Sequence, residues 1–229
     1  MRLTLFDLDN TLLHGDSDYE WGQYLIEVGA VDRILYEQAN QRFYNEYKAG
    51  TLNIQEFLAF ALKPLASFPL SQLEAWRTDF LQTHIKPRIT DKALALVKEE
   101  QKRSHFVAIV TATNRFVTAP IAELFGVHHL IATEPEKNQN GEFTGNVIGT
   151  PSFREGKILR VDEWLSELNH AWADFDETCF YSDSLNDLPL LERVKEAIAV
   201  NPDPTLKQHA LQSGWPILVL HQAAGEPPQ

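Results

Sequence analysis

Five short runs in this chain are almost wholly apolar: Leu3–Phe6, Phe106–Val110, Thr178–Tyr181, Ala197–Val200 and Pro216–Leu220, with a weaker sixth at His129–Ala132. A strand with one wet face alternates apolar and polar residues, whereas a strand that reads apolar throughout is covered on both sides. Between these runs lie stretches with helical apolar spacing at Asp91–Lys102, Phe116–Phe125, Lys157–Leu168 and Leu185–Val194. Strand and helix alternate, so the chain is expected to form an α/β core, a parallel sheet with helices on both faces in three layers. In such sheets ligands gather at the carboxyl ends of the strands, and Asp7, Thr111 and Asp183 each fall there.

The segment from about Ser17 to Ile85 breaks the alternation. It has helical runs at Tyr19–Val28, Arg33–Lys48, Ile54–Leu65 and Leu73–Thr83, no convincing strand, and half of the chain's aromatic residues. Aromatics at helical spacing are mostly core. A helical unit inserted just after the first strand would sit over the strand ends, so residues 15–85 are expected as a cap on a discontinuous core domain of 1–14 and 86–221. The 229 residues suffice for one domain with such an insert. Asn140-Gly141 is a hairpin signal, and residues 222–229, ending in Gly-Glu-Pro-Pro-Gln, read as a disordered tail.

Charge and composition narrow the function. The net charge is −12, with 32 acidic against 20 basic side chains and no basic block, so nucleic acid is not an expected partner. No apolar run is long enough to span a bilayer, and Met1-Arg2-Leu3 runs into a strand and then acid rather than into a signal-peptide pattern. The lone cysteine, Cys179, excludes an internal disulfide, and its apolar setting reads as an inert core thiol. A cytoplasmic protein, monomer or homodimer, acting on a small molecule is expected.

The first strand ends in Asp7-Leu8-Asp9-Asn10-Thr11. If the strand stops at Asp7 and turns, both carboxylates converge just past its end, which is unfavourable unless a cation or a shared proton separates them. An Asp-Asn turn alone would explain the pair equally well. Three further pieces lie downstream: Ile109-Val110-Thr111-Ala112-Thr113-Asn114, an apolar strand ending in a hydroxyl; Lys157 after Gly156; and Ser182-Asp183-Ser184-Leu185-Asn186-Asp187. Taken singly, Thr111 could be an N-cap, Asn114 a turn residue, Lys157 a surface lysine, and Asp183 and Asp187 caps of a helix at Leu185.

In this order the four pieces resemble the motifs of the haloacid dehalogenase superfamily: Asp-x-Asp-x-Thr, a strand-end Ser or Thr, a Lys, and Asp-x-x-x-Asp. The resemblance covers residues 7 to 187 and implies a three-layer Rossmann-like parallel core with an inserted helical (C1-type) cap. It implies phosphoryl transfer, which needs an in-line nucleophile, neutralised equatorial oxygens and a proton for the leaving alkoxide. Asp7 would be the nucleophile, forming an aspartyl phosphate, and Asp9 the general acid and then base. Asp7, Asp183 and the backbone carbonyl of Asp9 resemble the family's Mg²⁺ ligands, with Asp187 orienting a metal-bound water or Lys157. Thr111, the amides of a helix starting after it, and Lys157 would hold the phosphate, with Asn114 and Asn186 as further contacts. An acid at Asp9 points to phosphate monoesters, because a halide leaves without a proton.

The inserted helices resemble the cap of the phosphoserine phosphatase-like branch, as do Gly50-Thr51-Leu52-Asn53-Ile54 and Phe143-Thr144-Gly145-Asn146-Val147. In that branch an acid nine residues after the nucleophile binds the substrate amine. Asp16 stands there, either as an ammonium ligand or as a solvated turn acid. The branch's cap arginine for the substrate carboxylate falls at Ala59, which cannot pair with a carboxylate. An amino-alcohol phosphate without a carboxylate, such as histidinol phosphate or phosphoethanolamine, therefore fits better than phosphoserine. Competing readings are phosphoserine phosphatase itself, a phosphotransferase with a non-water acceptor, a phosphorylatable receiver, and a silent binding protein. A receiver is smaller and lacks a cap, and a silent scaffold would not keep every motif position filled.

Overall fold

The computed structural model describes residues 1–221. The expected tail at 222–229 lies outside the described residues. Seven strands form one sheet: β1 (Arg2–Phe6), β2 (Phe106–Asn114), β3 (His129–Lys137), β4 (Phe143–Ile148), β5 (Glu177–Ser182), β6 (Glu196–Val200) and β7 (Ile217–Leu218). Their order is β4-β3-β2-β1-β5-β6-β7, and every neighbouring pair is parallel except β3–β4. The first strand is thus central and wholly buried.

Side chains alternate between the two faces, as strand geometry requires. On one face Leu3, Leu5, Ala108 and Phe180 pack with Val161 and Leu165 of α8 (Glu155–Glu167), with α9 (Leu188–Arg193) and with α10 (Pro204–Ser213). On the other, Phe6, Ile109 and Tyr181 pack with Val97 of α6 (Asp91–Arg103) and Val117 and Ile121 of α7 (Arg115–Leu124).

The inserted segment folds as α1 (Ser17–Glu27), α2 (Arg33–Lys48), α3 (Ile54–Ala61), α4 (Lys63–Ser67) and α5 (Leu70–Phe80), and returns through a π-helical turn, Leu81–Ile85. Most of its buried apolar residues join the core of the sheet, and only Phe43 and Leu52 cluster apart, with Phe153. Trp21, Leu25, Leu58 and Phe80 belong to the same buried cluster as Phe116 and Val117 of α7. The Trp21 ring sits edge-on to Phe80 (5.2 Å between centroids) and to Phe116 (5.9 Å).

Several sequence expectations are corrected. β2 runs to Asn114 and α7 begins at Arg115, so the amides right after Thr111 belong to the strand and not to a helix start. The expected helix Ile54–Leu65 breaks at Leu62, because Pro64 lies in the first turn of a new helix. Leu185–Val194 divides into a 3₁₀ turn, Leu185–Asp187, and α9. Antiparallel β4 and helix α10 carried no apolar pattern: β4 alternates buried and exposed residues, and α10 buries only Leu206 and Ala210. His221, the last described residue, is 5% exposed, stacks on His14 at 5.0 Å and lies 2.8 Å from the Thr11 carbonyl through Nε2.

Candidate active site

Three neighbouring strands bring three motifs together. Phe6 pairs with Ile109 on one side and Tyr181 on the other, so the residues just beyond them, Asp7, Thr111 and Asp183, line one edge of β2, β1 and β5. After Phe6 the chain tightens: the amides of Thr11, Leu12 and Leu13 all donate to the Leu8 carbonyl, and Asn10 adopts a left-handed φ of 59°. This turn lets Asp7 and Asp9 converge, where a continued strand would have carried them onward.

Each carboxylate has a different set of partners. Asp7 Oδ1 accepts from Lys157 Nζ at 2.7 Å, and the same ammonium donates to Asp187 Oδ2 at 2.7 Å. Lys157 is 1% exposed. Burial alone would lower its ammonium, but Asp187 and Asp7 outweigh that and hold it above its ordinary value. Asp187 also accepts from Ser182 Oγ at 2.7 Å, so it positions the lysine. Thr11 Oγ1 lies 3.1 Å from Asp7 Oδ2 and 3.0 Å from Asp183 Oδ1, its one proton serving either, and it accepts from the Asp183 amide. Burial pushes Asp183 well above the usual carboxylate range, reinforced by the charges of Asp7 and Asp187. Asp7 is raised to about 7, burial outweighing Lys157.

Asp9 is held from both the sheet and α1. Its Oδ1 accepts from the Ser17 amide at 2.6 Å, and its Oδ2 from Thr113 Oγ1 at 2.9 Å and Thr111 Oγ1 at 3.2 Å. Burial, then the charge of Asp16, raises it to about 6. Asp16 caps α1, accepting from the Asp18 and Tyr19 amides at 3.0 and 2.9 Å.

The donor chemistry suits Mg²⁺. Asp7 and Asp183 are two buried carboxylates joined through one hydroxyl, and a small dication with oxygen preference would relieve their repulsion. Among the described residues no three His, Cys, Asp or Glu side chains form one metal-holding group. The candidate ligand set is thus the carboxylates of Asp7 and Asp183, with any further ligands supplied by backbone, water or phosphate. The Asp187 side chain, expected in that set, is occupied by Lys157 and Ser182.

Two expected contacts lie elsewhere. Asn114 caps α7, accepting from the Val117 amide at 3.2 Å, and does not line the cavity. Asn186 donates to the Tyr47 carbonyl at 2.9 Å and accepts from Arg154 Nε at 3.2 Å, tying α2 to the core. The cavity above the strand ends holds about 50 Å³ and is lined by Asp7, Asp9, Thr111 and Thr113 below and by residues of α1 to α3 above. Asp16 lines it, and no lining residue is basic. Thr11, Thr113 and Ser182 went unassigned from sequence; only their places beside motif acids could have marked them. Asp18, Asn40 and Arg154 have no local signal, because their partners are distant in the chain.

A family model described as haloacid dehalogenase-like hydrolase matches residues 4–192. Histidinol-phosphatase of Neisseria meningitidis serogroup C is 44% identical over 217 residues, covering 95% of this chain and 98% of that protein. A solved structure of a protein of unknown function from Bordetella pertussis Tohama I is 46% identical with a TM-score of 0.89, covering 95% of this chain and 97% of the other. A phospho-aspartyl intermediate analogue of phosphoserine phosphatase shares the fold, with a TM-score of 0.68 at 21% identity over 96% of this chain and 93% of the other.

Proposed function

Because the chain belongs to the haloacid dehalogenase-like hydrolase family, we propose that it is a Mg²⁺-dependent phosphatase acting on a small amino-alcohol phosphate, with histidinol phosphate the leading substrate. The observation that carries the phosphatase chemistry is the pairing of two acids with different surroundings. Asp7 faces Lys157, while Asp9, two residues on, is held by two threonine hydroxyls and the first amide of α1.

Asp7 attacks phosphorus in line, forming the aspartyl phosphate, while Lys157 neutralises charge on Asp7 and the transferring group. Asp9, raised towards neutrality by burial, gives its proton to the leaving alkoxide. The resulting Asp9 carboxylate then takes a proton from the water that hydrolyses the intermediate. Thr111 can turn its hydroxyl from Asp9 to the phosphate. Mg²⁺, held by Asp7, Asp183 and the Asp9 carbonyl, would supply positive charge for the phosphate oxygens.

Three observations support the substrate class. Asp16 lines the cavity as an acceptor for an ammonium, and no lining residue is basic, so a substrate carboxylate would go unpaired. Ala59, at the place of the branch's arginine, is exposed and off the cavity wall. The Neisseria relative is a histidinol-phosphatase. The test is phosphate release from histidinol phosphate, phosphoethanolamine and phosphoserine, for wild type and Asp16→Ala. The expected ranking places phosphoserine last, and Asp16→Ala raises KM for histidinol phosphate and phosphoethanolamine at least tenfold. Phosphoserine ranked first, or an unchanged KM, would overturn the substrate assignment.

A further inference from the structure

We propose that Asp18, with Asn40, is a specificity-determining site for a second nitrogen group on the substrate, a flat heteroaromatic ring that donates an N–H, beyond the ammonium received by Asp16. The inference rests on the phosphatase reading above and deepens it.

Both side chains line the same cavity as the motif acids. Asp18 donates its backbone amide to Asp16, but among the described residues its carboxylate makes no hydrogen bond and no ion pair. It lines the cavity with no cation beside it among the described residues, and desolvation, then the charges of Asp16 and Asp9, raises it above the usual carboxylate range. Asn40 is a second acceptor in want of a donor. It is 6% exposed, and its Nδ2 donates to the Tyr19 carbonyl at 3.1 Å, while its Oδ1 accepts nothing among the described residues. Gly22 makes that approach possible, since a Cβ there would lie 2.8 Å from Asn40 Nδ2. Acceptors on a cavity wall that no protein donor reaches gain when a ligand supplies the donor.

The apolar lining of the cavity is largely aromatic. Phe43 and Phe57 meet edge to face at 5.5 Å, and Phe43, Leu52 and Phe153 form a small buried cluster of their own. Such a wall accepts a planar group, while Asp18 and Asn40 offer oxygens to its N–H. The α1 amides already bond Asp16, which holds its carboxylate in place for the ammonium. Asp18 is free for the more distant group. A site built to accept an N–H discriminates strongly against an analogue without one, because its acceptors stay unpaired.

The experiment compares kcat/KM for two phosphate esters of amino alcohols that differ only in the ring, one imidazole and one phenyl. Wild type is expected to prefer imidazole by about a hundredfold. Asp18→Leu, with Asp18→Ala as the second variant, is expected to cut that ratio at least tenfold. A merely structural role would lower both substrates together and leave the ratio unchanged, which would overturn the proposal. A wild-type ratio near one, with both esters hydrolysed, would overturn it while leaving the phosphatase reading in place. Hydrolysis of neither ester would overturn that reading and this one with it.

Discussion

Gly156 stands where the chain must turn so that Lys157 can enter a buried pair of carboxylates. A Cβ at Gly156 would lie 2.1 Å from the Pro151 carbonyl oxygen, which is backbone and cannot swing aside. Gly156→Ala is therefore expected to displace the start of α8, lowering stability by about 1–3 kcal/mol in urea unfolding and kcat by more than that loss explains. Asp9 carries a complementary prediction: Asp9→Asn keeps the shape but removes the transferable proton. Its kcat for an alkyl phosphate should fall by about a hundredfold or more, and by much less for an activated aryl phosphate whose leaving group needs no proton. The site's acids and Lys157 were legible because each follows an apolar run or a glycine in motif order. The structural partners of Asn114 and Asn186 were not legible, because an asparagine that caps a helix or bridges two elements has the same local sequence as one that meets a ligand. Asp18 lay in the open at the start of a helix, and only the fold reveals that Asn40 faces the same cavity.

At the scale of elements, the carboxyl end of α2 is held to the core by side chains. Arg154 donates to the Gly50 carbonyl and, through Nε and Nη2, to Asn186, which donates in turn to the Tyr47 carbonyl. Arg154 holds this place at φ 51° and ψ −123°, outside the regions a side-chain-bearing residue ordinarily occupies. The cavity beneath, at about 50 Å³, is far smaller than a usual ligand pocket, so α1 to α3 must lift for substrate to enter. Arg154→Ala is expected to speed amide hydrogen exchange in α2 while leaving that of the central strands unchanged. The other end of the chain makes its own tie: His221 reaches Thr11 through Nε2, and Nδ1 is buried with no partner among the described residues. Burial lowers its pKa below 6.5, so the unfolded chain takes up a proton before the folded one does. Stability is therefore fully present above pH 6.5 and is lost as pH falls through the folded value, and His221→Gln should flatten that limb in thermal melts. Element order was readable from apolar runs. β4 and α10 were not, because an edge strand and a helix with two buried residues carry too little pattern.

The whole molecule separates stability from chemistry along β1. Near the start of the strand, buried Glu100 accepts from Arg2, Thr4 and Tyr181. Glu100→Ala removes these bonds while Arg2 keeps its pair with Glu177 at 2.6 Å, and is expected to lower stability by about 1–3 kcal/mol in urea unfolding. Past the other end, Asp7 and Asp183 repel across Thr11. Asp183→Asn should therefore raise stability without metal by about 1 kcal/mol, while removing any rise in Tm that bound Mg²⁺ would give wild type. Helices α1, α3, α4 and α5 share one apolar cluster with the sheet, while Phe43 of α2 packs in a separate one with Leu52 and Phe153. What all of this positions is Asp7. The decisive measurement is to mix the protein with radiolabelled histidinol phosphate and Mg²⁺, quench in acid within one turnover, and map the label. Label on the peptide containing Asp7, labile to hydroxylamine and absent from Asp7→Asn, is the predicted result. Rapid turnover with no label on the chain, and with Asp7→Asn still active, would contradict it.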